Sequence, residues 1–192
     1  MTIPPQPGIA TNLEALQDEV QKQLGRCVLQ IQQYERLLKS IVSIHRISGP
    51  AEELESAARR RNDALAKQTL GALVRELLDS CVVDDTRTDS MPGGDDRSFG
   101  IWLRVRLPAK DHERLSNDLR ELVHLRNNLV HHLSEQHNLW SITGCRAALQ
   151  SLADNRVLIK QHDENLQALA RLLRDLVQSD AFRDSVNGTA HD

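Results

Sequence analysis

The residues best suited to chemistry stand in one short run, Leu125-Arg126-Asn127-Asn128-Leu129-Val130-His131-His132. Arginine is charged at any physiological pH and presents a planar fork of N–H donors that matches a phosphate. Histidine exchanges a proton near neutrality, which suits it to general acid–base work. Five of the eight histidines fall between His112 and His137, so a metal site is the rival to proton transfer. Spacing disfavours it. No two of these histidines stand four apart on a helix, there is no His-Glu-x-x-His, and no cysteine lies close in sequence. Neither a metal nor another cofactor is expected, and His45, His124, His137, His162 and His191 read as structural or solvated.

The element that carries this run is a helix predicted over 109–133. Leu115, Leu119, Leu122, Arg126, Leu129 and Leu133 step by 4, 3, 4, 3 and 4, a regular seam with one arginine in it. A guanidinium in an apolar arc needs a partner. That partner is either a carboxylate from a neighbouring helix or a phosphate from a ligand. On a straight helix Arg126 and His131, five residues apart, point about 140° away from each other. A single chain then makes a poor site, and a composite cleft between two copies is expected instead.

An arginine, a polar residue, and a histidine four to six residues on, late in a helix of an all-α bundle, resembles the signature of the HEPN superfamily. The resemblance implies a helical, usually dimeric fold and, in many members, a metal-independent endoribonuclease. It places Arg126 in the phosphate-binding role, Asn127 in the polar role beside it, and His131 in the catalytic role. His132 also satisfies the spacing, but Arg-Asn-x-x-Val-His is the commoner local form, which favours His131. Arg106 to His112 and Arg156 to His162 share the bare spacing; only Arg126 is followed by Asn and sits in an apolar seam. The implied partners are RNA, a second copy of the chain, and a protein antitoxin or other regulator. Members paired with nucleotidyltransferase antitoxins often carry a tyrosine two positions after the histidine. Here that position is Leu133, so modification of such a tyrosine is not implied.

A broader resemblance runs through Tyr34-Glu35-Arg36-Leu37-Leu38-Lys39, Gln68-Thr69-Leu70-Gly71-Ala72-Leu73-Val74, Ser98-Phe99-Gly100, the Arg126 motif and Gly144-Cys145-Arg146-Ala147-Ala148. In that order these segments are similar to the N-terminal region of some bacterial proteins that continue into an OST-HTH (LOTUS) domain, linked to RNA binding. This sequence holds no such domain, so only RNA as a context is implied. The competing expectation is a catalytically inactive helical dimer acting as an interaction module, with Arg126 neutralised by a carboxylate and His131 merely exposed. A long first helix and an alternating strand, both suited to partner contact, support that alternative.

Composition bounds these alternatives. The chain has 192 residues, 40% hydrophobic and 3% aromatic, with a formal net charge of −3. Five aromatics are too few for a stacking platform along a single strand, and a pI near 6.2 argues against a general phosphate-neutralising surface. Cys27, Cys81 and Cys145 are odd in number and far apart, as expected of small core or surface thiols in a reducing compartment, and each reads best as a buried apolar filler. No targeting signal opens the chain, and no apolar run is long enough to span a membrane. A cytoplasmic protein is expected.

The periodicities predict a mainly α fold, an antiparallel bundle of four to five helices with a small β-hairpin or strand insertion near 82–107. Residues 1–11 form a flexible lead-in closed by Asn12 as N-cap. A long first helix follows to about Ile41 and ends at Ser48-Gly49-Pro50, and a second helical stretch runs from near Pro50 to about Cys81. The Arg59-Arg60-Arg61 triplet in it reads as a solvated face. A polar connection covers 84–97 and a strand 98–107, expected to pair with Val82-Val83 or with a second copy. The last helix spans 144–178, with Leu152, Ile159, Leu166, Leu169, Leu173 and Leu176 in its seam. A single domain over 12–179 and a polar tail over 180–192 complete the expected organisation.

Overall fold

The computed structural model describes residues 7–44, 46–49, 53–86, 99–102 and 104–179. Residues 1–6 of the lead-in, His45, Pro50, residues 87–98 of the polar connection, Leu103 of the strand, and the tail from 180 with His191 lie outside them. The chain is mainly α. The first helix, α1 (Pro7–Ile44), begins earlier than expected, so Asn12 is inside the helix and not its cap. Proline tolerates the first helical turn because its missing N–H would have no partner there. In α1 the residues Val20, Cys27, Tyr34 and Ile41, seven apart, are all buried. A seven-residue repeat drifts only about 20° per cycle, which keeps one stripe inward along the whole helix.

The chain divides into two compact units. The first comprises the described part of Met1–Gln33 together with Glu121–Asp163. Here Gln17 Nε2 donates to the Leu139 carbonyl at 2.8 Å and Cys27 Sγ lies 3.7 Å from the Leu152 carbonyl. These contacts set α1 alongside the last helix, α6 (Ile142–Gln178), in the same direction. The helix before it, α4 (Ala109–Asn127), folds back against α6, as the 3.7 Å approach of Glu121 to His162 shows. The antiparallel order thus holds for α4 and α6, and α1 joins them parallel to α6. The start of α6 is built by side chains: Ser141 Oγ accepts from the Gly144 N–H at 3.0 Å, the geometry of an N-cap, and the Ser141 N–H donates to the Asn138 carbonyl at 3.2 Å.

The second unit comprises the described parts of Tyr34–Arg120 and Glu164–Asp192. The helical stretch expected from Pro50 to Cys81 is two helices, α2 (Leu54–Ala66) and α3 (Leu70–Glu76). The break is local capping: Lys67 and Gln68 close back on the Ala64 and Leu65 carbonyls, and Thr69 Oγ1 accepts from the Ala72 N–H at 3.4 Å. A π-helical turn, Leu77–Cys81, follows α3 and leads into β2 (Val82–Asp84). The strand expected over 98–107 is two strands, β3 (Phe99–Trp102) and β4 (Val105–Leu107). β4 pairs with β2 as expected from the sequence, but in parallel, so no hairpin forms. Parallel neighbours cannot be joined by a tight turn, which excludes the hairpin. β3 pairs antiparallel with β1 (Arg46–Gly49), which the Ser-Gly-Pro sequence had marked only as the end of α1.

Two of the triplet arginines are solvated as expected: Arg59 pairs with Glu55 and Arg60 reaches Glu53, all four side chains being well exposed. Arg61 is different. Its Nη2 contacts Glu76 Oε1 at 2.7 Å and the Val42 carbonyl at 2.9 Å, while Gln68 Nε2 donates to the other Glu76 oxygen at 3.0 Å. This arginine is a structural brace in the second unit.

In α6 the buried residues Cys145, Leu152, Ile159, Leu166 and Leu173 again stand seven apart, while Leu176 is exposed and drops out of the expected seam. All three cysteines are free and buried. Burial pushes the Cys27 thiol up, and burial together with the nearby Glu76 charge pushes Cys81 up to about 12.

Two outcomes follow from this packing. At pH 8 the native protein should react slowly or not at all with a disulfide thiol reagent, and all three thiols should react once it is unfolded; prompt reaction of one equivalent in the native state would contradict the burial. A Cβ on Gly144 would stand 2.0 Å from the Asn138 carbonyl oxygen and 2.9 Å from Ser141 Oγ. Because the first of these is backbone, Gly144→Ala should cost about 1–3 kcal/mol of stability in urea unfolding, with far-UV circular dichroism as the probe.

Candidate functional site

The expected helix 109–133 is not one regular helix. α4 ends at Asn127, a π-helical turn spans Asn128–His132, and a short helix, α5 (Leu133–Gln136), follows. All of the site lies in the first unit. A π turn holds one more residue than an α turn, so a residue five positions on returns toward the face that a residue four positions on occupies in a regular helix. This removes the angular objection to a site within one chain. Arg126 Nη1 stands 3.3 Å from His131 Nε2 and 3.2 Å from Asn127 Oδ1.

The apolar neighbours explain why the turn is wide. Leu122, Leu125, Leu129 and Leu133 are all buried. The last three are four residues apart, and in a regular helix each such step overshoots the stripe by about 40°. Widening the turn absorbs the overshoot and keeps Leu129 and Leu133 inward. Leu125 replaces Arg126 on the fully buried stripe, and the arginine is left half-buried at its edge.

Of the two partners foreseen for Arg126, the carboxylate is not found beside it. Among the described residues no carboxylate pairs with its guanidinium; its contacts are an amide oxygen and an imidazole nitrogen. Both are neutral acceptors when Nε2 is unprotonated, so the positive charge is not cancelled and the remaining N–H groups can meet an anion. His131 itself is exposed. His132 points to different company, its Nδ1 standing 2.8 Å from Glu135 Oε2, and its ring meets that of His131 edge-on with centroids 6.3 Å apart.

The structure therefore brings Arg126, Asn127 and His131 together, and sets His132 beside them with its own carboxylate. Glu135 is a member of the group that spacing arguments did not single out; the i, i+3 relation to His132 was the available signal. The other pairs with matching spacing have other contacts. Arg156 Nη1 donates to Gln23 Oε1 at 3.1 Å, and His112 lies 3.2 Å from the Val82 carbonyl. His162 is buried with Glu121 near it. Among the described residues no group of three or more His, Cys, Asp or Glu side chains is gathered as a metal site, and no helix is long and apolar enough to cross a membrane. Comparison with protein-family models, with curated proteins and with solved structures gives no match.

An arginine bonded to neutral neighbours at the edge of the core differs in stability terms from one locked in a buried ion pair. Arg126→Ala should change unfolding free energy by no more than about 1 kcal/mol, whereas breaking a buried pair costs about 3–5 kcal/mol. Urea unfolding of the two proteins side by side measures the difference.

Proposed function

We propose that this chain is a metal-independent endoribonuclease of HEPN type. The observation that supports it most is the 3.3 Å apposition of an uncancelled arginine and an exposed histidine across a π-helical turn. Turns of this kind are frequent at functional sites because they reset which side chains share a face.

In this mechanism Arg126 holds the scissile phosphate with the N–H groups its protein contacts leave over, and it stabilises the extra negative charge of the pentavalent transition state. Asn127, bonded to the guanidinium, fixes the direction of that fork. As RNA binds, His131 Nε2 is released from Arg126 Nη1 and takes the proton from the ribose 2′-hydroxyl, and the 2′-oxygen forms a bond to phosphorus as the bond to the 5′-oxygen breaks. His132, oriented by Glu135, is the second imidazole within reach and returns a proton to the leaving 5′-oxygen. The products are a 2′,3′-cyclic phosphate and a 5′-hydroxyl. Because Arg126 and His131 meet within one chain, their geometry does not call for a second copy. The homodimer and a regulatory protein partner belong to this proposal through the family resemblance, and a cytoplasmic setting through the three free cysteines, which suit a reducing compartment.

The test is cleavage of single-stranded RNA with a chelator present, by wild type, Arg126→Ala and His131→Ala. Wild type should leave cyclic-phosphate ends, and each variant should be slower by a factor of roughly 100 or more, the usual scale for losing a charge-stabilising donor or a general base. Equal cleavage by all three proteins would transfer support to the inactive interaction module.

A further inference from the structure

We infer that the hollow beside Trp140 is a nucleobase subsite, taking one unpaired base of the RNA whose phosphate Arg126 holds. This inference rests on the proposed reaction for its ligand, but on different residues. The hollow has a volume of about 360 Å³, and its lining includes Gln17, Gln21, Ser134, Asn138, Leu139 and Trp140. That is within the range of sites for small planar ligands.

Three observations select a base. Trp140 is 83% exposed, more than any other large apolar side chain among the described residues. An indole left in water makes no packing contribution to the fold, but it offers a π-face on which any base can stack. The lining carries no charged side chain, which suits a neutral heterocycle and not a phosphate. It does carry amides and a hydroxyl: Gln17 spends its Nε2 on the Leu139 carbonyl, leaving its oxygen, and the Gln21 amide and Ser134 hydroxyl have no partner among the described residues. Such groups read the hydrogen-bonding edge of an unpaired base.

The wall is held in place in advance. The backbone N–H of Trp140 donates to Asn138 Oδ1 at 3.1 Å, that of Ser141 to the Asn138 carbonyl at 3.2 Å, and that of Gly144 to Ser141 Oγ at 3.0 Å, with no room for a side chain at Gly144. The hollow is also close to the candidate catalytic group along the chain. Ser134 follows His131 by three residues, the same spacing at which His132 and Glu135 touch. One aromatic ring serves one base, which is consistent with a chain too poor in aromatics to coat a strand.

The test separates binding from cleavage by using short single-stranded homopolymers of each base with 2′-O-methyl riboses, which lack the attacking hydroxyl. They should quench the fluorescence of Trp140. Trp140→Ala should weaken their binding roughly 5- to 150-fold and abolish the quench, leaving only the signal of Trp102, while Trp140→Tyr should retain most of the affinity. Gln21→Ala should narrow the differences in affinity among the four bases. Unchanged binding by Trp140→Ala, alongside RNA cleavage that depends on Arg126 and His131, would overturn the subsite and leave the reaction standing. Trp140-dependent binding with no cleavage by wild type would leave the subsite standing and overturn the reaction. Failure of every homopolymer to bind would overturn the subsite, assigning the exposed indole to contact with another protein.

Discussion

The local structure around Arg126 depends on one constraint: leucines four residues apart must all stay buried where a helix crosses the core of its unit. Burying each leucine is worth about 1.5–3 kcal/mol, while a widened turn disturbs backbone hydrogen bonds whose net worth is about 1 kcal/mol each. The apolar term wins, and the helix yields at Asn128–His132. The consequence is chemical. The turn that keeps Leu129 and Leu133 inward also brings His131 to Arg126 and moves the arginine to the edge of the core.

Two arginines of this chain, Arg61 and Arg126, illustrate how surroundings assign a role to the same side chain. Arg61 meets a carboxylate, a glutamine on that carboxylate, and a backbone carbonyl, so its charge is cancelled and it braces the second unit. Arg126 meets an amide and an imidazole, which leave its charge intact. A cancelled guanidinium is a structural element, whereas one bonded only to neutral groups keeps its charge. A run of three arginines looks the more basic feature, yet each of its members stands against a glutamate, and Arg126 has no carboxylate partner among the described residues.

Much of the helical architecture was legible because it is written in periodicity. The stripes on α1 and α6 and the seam of α4 repeat at spacings that only a helix turns into one face, so mainly α character and a long first helix followed directly. The buried thiols followed from the small apolar character of a free cysteine, their number and separation having excluded only a disulfide or metal framework. Boundaries were less legible, because caps act one residue at a time: Thr69 splits a continuous apolar pattern into α2 and α3 with one side-chain oxygen. β1 was illegible, since four residues ending in Ser-Gly carry no alternation and find strand geometry only against β3.

The sequence by itself determined the chemical inventory: an arginine followed by asparagine in an apolar seam, two adjacent histidines five and six residues on, and few aromatics. It could not determine that Arg126 and His131 meet, because ideal helix geometry separates them. That outcome required knowing that Leu125, Leu129 and Leu133 share one buried face, which depends on what packs over them. Nor could it show that no carboxylate among the described residues reaches Arg126, or that Trp140 stands in water beside a lined hollow. Spacing fixes the neighbours a residue has along its own helix; burial and charge compensation come from other segments, and these only the tertiary structure supplies.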